Sequence, residues 1–248
     1  MRRKVVAGNW KMNHTPCSGA EFAKNIAPKF EAGAEVVFCV PYVALYAVRE
    51  AVEGFPVGIG AQNLHFEDSG AYTGEASADM VLSTGAKYVI IGHSERRQYY
   101  NETDETVNKK LSKAVLKGLT PIVCIGEHLE QRNQGITEEL LRIQVKIAYR
   151  GVNVDTALST IIAYEPVWAI GTGVVATDEQ AQQACAWVRG VFGDLYGKDA
   201  ASKIRILYGG SVTAANAKAL FAMPDIDGGL VGGASLKPEF VDIVNAAR

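Results

Sequence analysis

Short apolar runs recur along the whole chain. They are Val5-Val6-Ala7, Val36-Val37-Phe38-Cys39-Val40, Val57-Gly58-Ile59-Gly60, Tyr88-Val89-Ile90-Ile91, Pro121-Ile122-Val123-Cys124-Ile125, Ile161-Ile162-Ala163-Tyr164, Ile204-Arg205-Ile206-Leu207-Tyr208 and Gly229-Leu230-Val231. Each is too short for a helix. Most are continuous rather than alternating, which predicts strands buried on both faces, as in a parallel sheet. Between them lie segments with helical spacing or helix-start chemistry, over residues 18–30, 41–53, 77–84, 103–117, 137–149, 177–196, 214–221 and 238–247. Thr103 precedes Asp104-Glu105, an N-cap followed by acids in the first turn. Thr137 reads the same way, Thr177 with Gln180 fits a capping box, and Thr213 is a candidate cap for residues 214–221.

Strand and helix alternate without a Pro/Ser-rich linker or a shift in composition, so residues 1–248 read as one α/β domain. Eight repeats favour a single closed (β/α)8 barrel over an open doubly wound sheet. No G-x-G-x-x-G follows the first run, which weakens a dinucleotide fold. A chain of 248 residues, 48% hydrophobic and 21% charged, is of ordinary globular composition and buries a large core without staples.

Charge and cysteine usage narrow the function classes. The formal net charge is −2, from 25 basic and 27 acidic residues, with no basic block, so nucleic acid is not an expected partner. Cys17, Cys39, Cys124 and Cys185 form no C-x-x-C pair and read as free thiols of a reducing compartment. His14, His65, His93 and His128 lack metal-ligand spacing. The apolar part of the N-terminus is too short for a signal sequence, and no segment approaches a membrane span. The cytoplasm is therefore the expected location.

In a barrel, chemistry belongs at the C-terminal ends of the strands. The first run is followed by Asn9, Trp10 and Lys11, offering an ammonium for an anion. The fourth is followed by Gly92-His93-Ser94-Glu95. If Ser94 starts a helix, its N-terminus disfavours imidazolium, and a neutral His93 donates a hydrogen bond without giving up charge. The sixth is followed by Glu165, then Pro166 and an apolar loop, Val167-Trp168-Ala169-Ile170, closed by Gly171 and Gly173. That loop reads either as a lid over an acid or base or as an ordinary loop tucked onto the body. The seventh and eighth runs are followed by Gly209-Gly210-Ser211 and Gly232-Gly233. Paired glycines let backbone N–H groups approach a ligand, and loops at these two ends commonly seat phosphate. Cys124 reads as packing rather than nucleophile. Gln62 to Glu75 is a long loop, suited to an intersubunit contact or to packing on itself.

At these residues the sequence resembles the triosephosphate isomerase family along its whole length. The resemblance is carried by Gly8-Asn9-Trp10-Lys11, by Gly92 to Arg97, by Ala163 to Gly173, and by Tyr208-Gly209-Gly210-Ser211-Val212. It implies interconversion of dihydroxyacetone phosphate and glyceraldehyde 3-phosphate, a step of glycolysis and gluconeogenesis, without cofactor or metal. It implies Glu165 as the base, His93 as the neutral electrophile, and Lys11 as the ammonium beside developing negative charge. Asn9 supports that corner and Glu95 holds the Lys11 side. Gly171, Ser211, Gly232 and Gly233 match the phosphate-binding amides. Residues 166–176 match a mobile lid, and the Gln62 to Glu75 loop, with Thr73, matches a segment that reaches into a partner's site in a homodimer. One position departs from the pattern: Val174 stands where many relatives carry Lys, and Val174-Val175 stiffens the far end of the lid. Two other functions remain open at this level, a different phosphate-sugar isomerase or epimerase, and a non-catalytic phosphate-binding barrel.

Overall fold

The computed structural model describes residues 2–170 and 173–247. Eight parallel strands close into a barrel in chain order. They are β1 (Val5–Asn9), β2 (Glu35–Val40), β3 (Val57–Ala61), β4 (Tyr88–Ile91), β5 (Thr120–Ile125), β6 (Ile161–Tyr164), β7 (Arg205–Tyr208) and β8 (Gly228–Val231). All eight apolar runs are strands, surrounded by helices, and the fold is a single (β/α)8 barrel.

The continuous runs follow from the two-faced burial of each strand. Successive side chains point to opposite faces. Val5, Ala7, Val37, Ile122, Ile161 and Leu207 fill the barrel interior. Their neighbours Val6, Val36, Phe38, Val123, Ile162 and Ile206 belong to the outer core beneath the helices. No strand therefore has a polar face to alternate with.

The helix starts are set by short-range hydrogen bonds. Thr177 caps Asp178–Tyr196: its hydroxyl accepts from Gln180 N–H at 3.2 Å, and the Gln180 amide oxygen accepts from Thr177 N–H at 3.0 Å. Thr103 caps Asp104–Leu116 in the same manner with Thr106 as its partner. Two expected caps differ. Thr137 is the first helical residue of Thr137–Ala148, buried, with Ile136 at the cap position and no side-chain cap bond. Thr213 caps nothing, because the Asn216 side chain accepts from Thr213 N–H at 2.8 Å and folds a turn there, so the helix begins only at Ala217.

One seam joins the two ends of the chain. Seven pairings join strands adjacent in sequence, and the eighth places β1 on β8, with Val5 opposite Gly228 and Gly8 opposite Val231. Asp227, almost fully buried, locks the seam. It accepts from Arg2 at 2.7 Å, from Arg189 at 2.9 Å and from Ile206 N–H at 2.9 Å. Two guanidiniums and an amide offset the cost of burying that carboxylate.

The Gln62 to Glu75 loop is rooted by buried Asn63 and Leu64, while Glu67 to Glu75 stand exposed. His65 packs its ring on Phe66 and on Tyr72, each with centroids 4.4 Å apart. Asn63 is held by Lys110 Nζ at 2.7 Å, which also donates to buried Glu102 at 2.8 Å.

Candidate active site

The first strand end presents Asn9 and then turns sharply. Lys11 has φ +52°, the left-handed region that a non-glycine residue adopts only when held there. Two side chains hold it. Asn9 Oδ1 accepts from Lys11 N–H at 3.1 Å, and the Gln62 amide donates to Lys11 O at 2.8 Å. The Lys11 ammonium then reaches across the mouth to Glu95 Oε1 at 2.6 Å.

The fourth strand end leads through Gly92, at φ +73°, into the helix Ser94–Tyr100. His93 is its N-cap. The imidazole Nδ1 accepts from Glu95 N–H at 3.2 Å, so that nitrogen carries no proton and Nε2 is the donor. Nε2 lies 3.0 Å from Glu165 Oε1. The Glu102 carboxylate accepts from Gly92 N–H at 3.0 Å and fixes the turn that delivers the imidazole.

The sixth strand end delivers Glu165, whose N–H donates to Ile125 O at 2.8 Å. Its side chain is 2% exposed. The carboxylate rests on the start of the neighbouring helix, accepting from Ser94 N–H and from Ser94 Oγ, both at 3.0 Å. Burial pushes the Glu165 carboxyl up, but His93 and the two Ser94 donors outweigh it, and its pKa lies below the ordinary value. Burial pushes the His93 imidazole down, the Glu165 carboxylate pushes it up, and the net direction is up. That upward cause exists only while Glu165 rests against Nε2. Once the carboxylate moves away, burial, the Lys11 ammonium and the Glu95 N–H at Nδ1 favour neutral imidazole, against the Glu95 carboxylate, which still pushes it up.

A consequence can be measured directly. Glu165→Gln removes the larger of the two carboxylate charges that raise His93, the other being Glu95, so the His93 pKa falls below its wild-type value in an NMR titration of the ring. A value unchanged or higher in the variant would show that the Glu165 contact does not set it.

The seventh and eighth strand ends carry the glycines. Gly209 N–H donates to Tyr164 O at 2.7 Å, and a Cβ on Gly209 would stand 2.9 Å from Glu165 Cγ, so only glycine fits beside Glu165. Ser211 O is held by the Asn216 amide at 3.0 Å. Ser235 Oγ donates to Gly232 O at 2.7 Å at the start of a 3-10 turn, Gly233–Leu236. Ser211, Gly232 and Gly233 share one cavity, of about 780 Å³, with Asn9, Lys11, His93, Glu95 and Glu165. Every site residue expected from sequence thus meets in one mouth, except Gly171, which lies outside the described residues. Ser211 is separated by a turn from the helix that starts at Ala217, so it does not stand at a helix start.

The loop expected to form a lid is tied at its near end by a residue that sequence reading passed over. Glu127, fully buried at the fifth strand end, accepts at Oε1 from Trp168 Nε1 at 2.8 Å, from Tyr164 OH at 3.0 Å and from Arg132 at 3.0 Å. The Arg132 guanidinium also lies over the Trp168 ring at 4.5 Å. Val174 and Val175, at the far end, are about half exposed and line the cavity. Ser94 was also missed. Its position as first helical residue, directly after a candidate histidine, was the available signal.

Known proteins resemble this chain along its full length. The family model described as triosephosphate isomerase matches residues 4–247. A triosephosphate isomerase of Acetivibrio thermocellus is 56% identical over 239 residues, covering 96% of this chain and 95% of its own. One from Clostridium botulinum strain Loch Maree is 54% identical, covering 99% of this chain and 100% of its own. One from Carboxydothermus hydrogenoformans is 50% identical over the whole of both chains. Barrel, strand-end chemistry and full-length similarity converge, and the chain belongs to the triosephosphate isomerase family.

Proposed function

We propose that the protein interconverts dihydroxyacetone phosphate and D-glyceraldehyde 3-phosphate through an enediolate. The observation that carries the reading is the pairing of a buried, ionised Glu165 with a His93 whose proton is confined to Nε2. Family membership supports the substrate class.

The chemistry follows from these groups. Glu165 leaves Ser94 and removes a proton from the carbon beside the carbonyl. The C–H electron pair becomes the enediolate double bond, and the carbonyl oxygen gains negative charge. His93 Nε2–H donates to that oxygen, and its ring moves the hydroxyl proton between the two oxygens. The Lys11 ammonium lies on the same side of the cavity and favours the charge further. Glu165 then returns its proton to the adjacent carbon. Donors fixed in advance stabilise the intermediate more in a dry site than in water. Binding energy from the unreactive phosphate, taken up by the amides near Ser211, Gly232, Gly233 and Gly171, supports closure of the lid.

A homodimer through the Gln62 to Glu75 loop is part of the proposal. The loop stands exposed from Glu67 onward, its tip residue Tyr72 is 45% exposed, and Met12, next to Lys11, is 96% exposed. A protein with such apolar groups beside its site gains from covering them. The free thiols, three of them buried, fit a reducing cytoplasm. Among the described residues no helix is long and apolar enough to cross a membrane.

A coupled assay of glyceraldehyde 3-phosphate isomerisation on purified protein tests the function. Rapid conversion, insensitive to chelator, is the expected result. An absence of conversion in folded protein would overturn it. Sedimentation at twice the monomer mass tests the dimer.

A further inference from the structure

The mouth of the barrel opposite the strand ends carries a second groove, of about 380 Å³. It lies at the N-terminal ends of β2, β3 and β4, far along the strands from Glu165 and His93. That volume is at the small end of the range for small-molecule sites, roughly 300–1,000 Å³.

Two of the cations that line it, Arg49 and Lys87, stand without a carboxylate partner. Most arginines in the described residues are paired with a carboxylate, including Arg2, Arg96, Arg97, Arg132, Arg142 and Arg189. Arg49, in the last turn of the helix Leu45–Ala51, has no ion pair or side-chain hydrogen bond among the described residues, and neither does Lys87. Arg49 lays its stem along Gly85, where a Cβ would come within 3.1 Å of Nε and 3.2 Å of Cδ, and glycine at φ +84° leaves room for it. Both cations line the groove.

The floor is neutralised and rigid. Glu35 accepts from Tyr88 OH at 2.9 Å and from Arg205 at 3.1 Å to each oxygen. It therefore does not cancel Arg49 and Lys87. The Tyr88 ring lies tight under Gly58, where a Cβ would strike it, so the floor is an aromatic surface that glycine exposes. Phe55, 37% exposed, stands on the rim. Glu53, also on the rim, has no partner among the described residues and is the remaining free carboxylate of the groove.

We infer that this groove binds a mononucleotide. Arg49 and Lys87 take the phosphate, Phe55 takes the flat face of the base, and Glu53 accepts from ribose hydroxyls. Cations without partners, an exposed aromatic ring and a lone carboxylate are the three chemistries a nucleoside phosphate requires, and the groove has room for one nucleotide. The inference is independent of the proposed isomerase activity.

Calorimetric titration of the full-length protein with AMP tests it, run alongside adenosine and inorganic phosphate. One AMP per chain should bind, more tightly than either fragment, and binding should persist when dihydroxyacetone phosphate saturates the opposite mouth. Arg49→Gln and Lys87→Gln should each weaken AMP by about tenfold, as loss of a charged hydrogen-bond partner does, while isomerase kcat/KM stays at the wild-type value. Four results would overturn the site: no AMP binding at millimolar concentration, equal binding of phosphate alone, displacement of AMP by the triose phosphate, or unchanged AMP affinity in both variants.

Discussion

Shortening Glu165 to Asp lowers turnover by on the order of 10²-fold, with far less effect on KM. The substitution keeps the charge and withdraws the carboxylate by one C–C bond. Glu165 enters the cavity from the end of β6, where its backbone is pinned by Ile125 O at 2.8 Å, so the main chain cannot advance to compensate. The phosphate seat proposed near Ser211, Gly232 and Gly233 is built from other strand ends and is untouched by the change. Loss therefore falls on the proton transfer and not on binding. Steady-state kinetics in both directions separate the two. Turnover close to wild type would remove Glu165 from the role of base.

Gly126→Ala, one strand away, destabilises the protein by about 3 kcal/mol and disables whatever remains folded. Gly126 Cα lies against the carbonyl of Glu165, and a Cβ there would occupy the same space as that oxygen. Neither partner is free to give. Gln144 clamps Gly126 from both sides, accepting from its N–H at 2.8 Å and donating to its carbonyl at 3.1 Å. The backbone of Glu165, the proposed base, must then shift, and a displacement of about 1 Å at a reacting group can cost 10²-fold. Urea unfolding and kcat are the two readouts. Wild-type stability together with wild-type kcat would show that the two strand ends are not in the tight contact described.

The barrel was legible because its strands are buried on both faces. A continuous apolar run needs no partner to be recognised, and Tyr88–Ile91 and Ile161–Tyr164 match their strands residue for residue. The candidate groups were legible for a related reason: the residue after a run must stand at one mouth. What could not be read were contacts between polar groups far apart in sequence. Glu127 meets Trp168 across 41 positions and Ser94 meets Glu165 across 71, and no local pattern marks either pair. Thr213 misled because Thr is equally good at capping a helix and at opening a turn, and the choice was made by Asn216, three residues on.

The seam between β1 and β8 bears on how the chain acquires activity as it folds. Seven strand pairings join neighbours along the chain, but Val5 meets Gly228 only when the two ends of the polypeptide come together. The entropy of closing so long a loop grows only logarithmically with its length, and the Asp227 cluster with Arg2 and Arg189 helps to offset it. The two halves of the site fall on opposite sides of that event. His93 and Glu165 stand after β4 and β6, within a contiguous stretch of chain. Lys11 and the glycines after β8 are brought beside one another by the seam. A partly open chain can hold Glu165 and His93 in place before Lys11 is set beside Gly232. Ring closure thus completes the mouth of the barrel by bringing the first and last strand ends together.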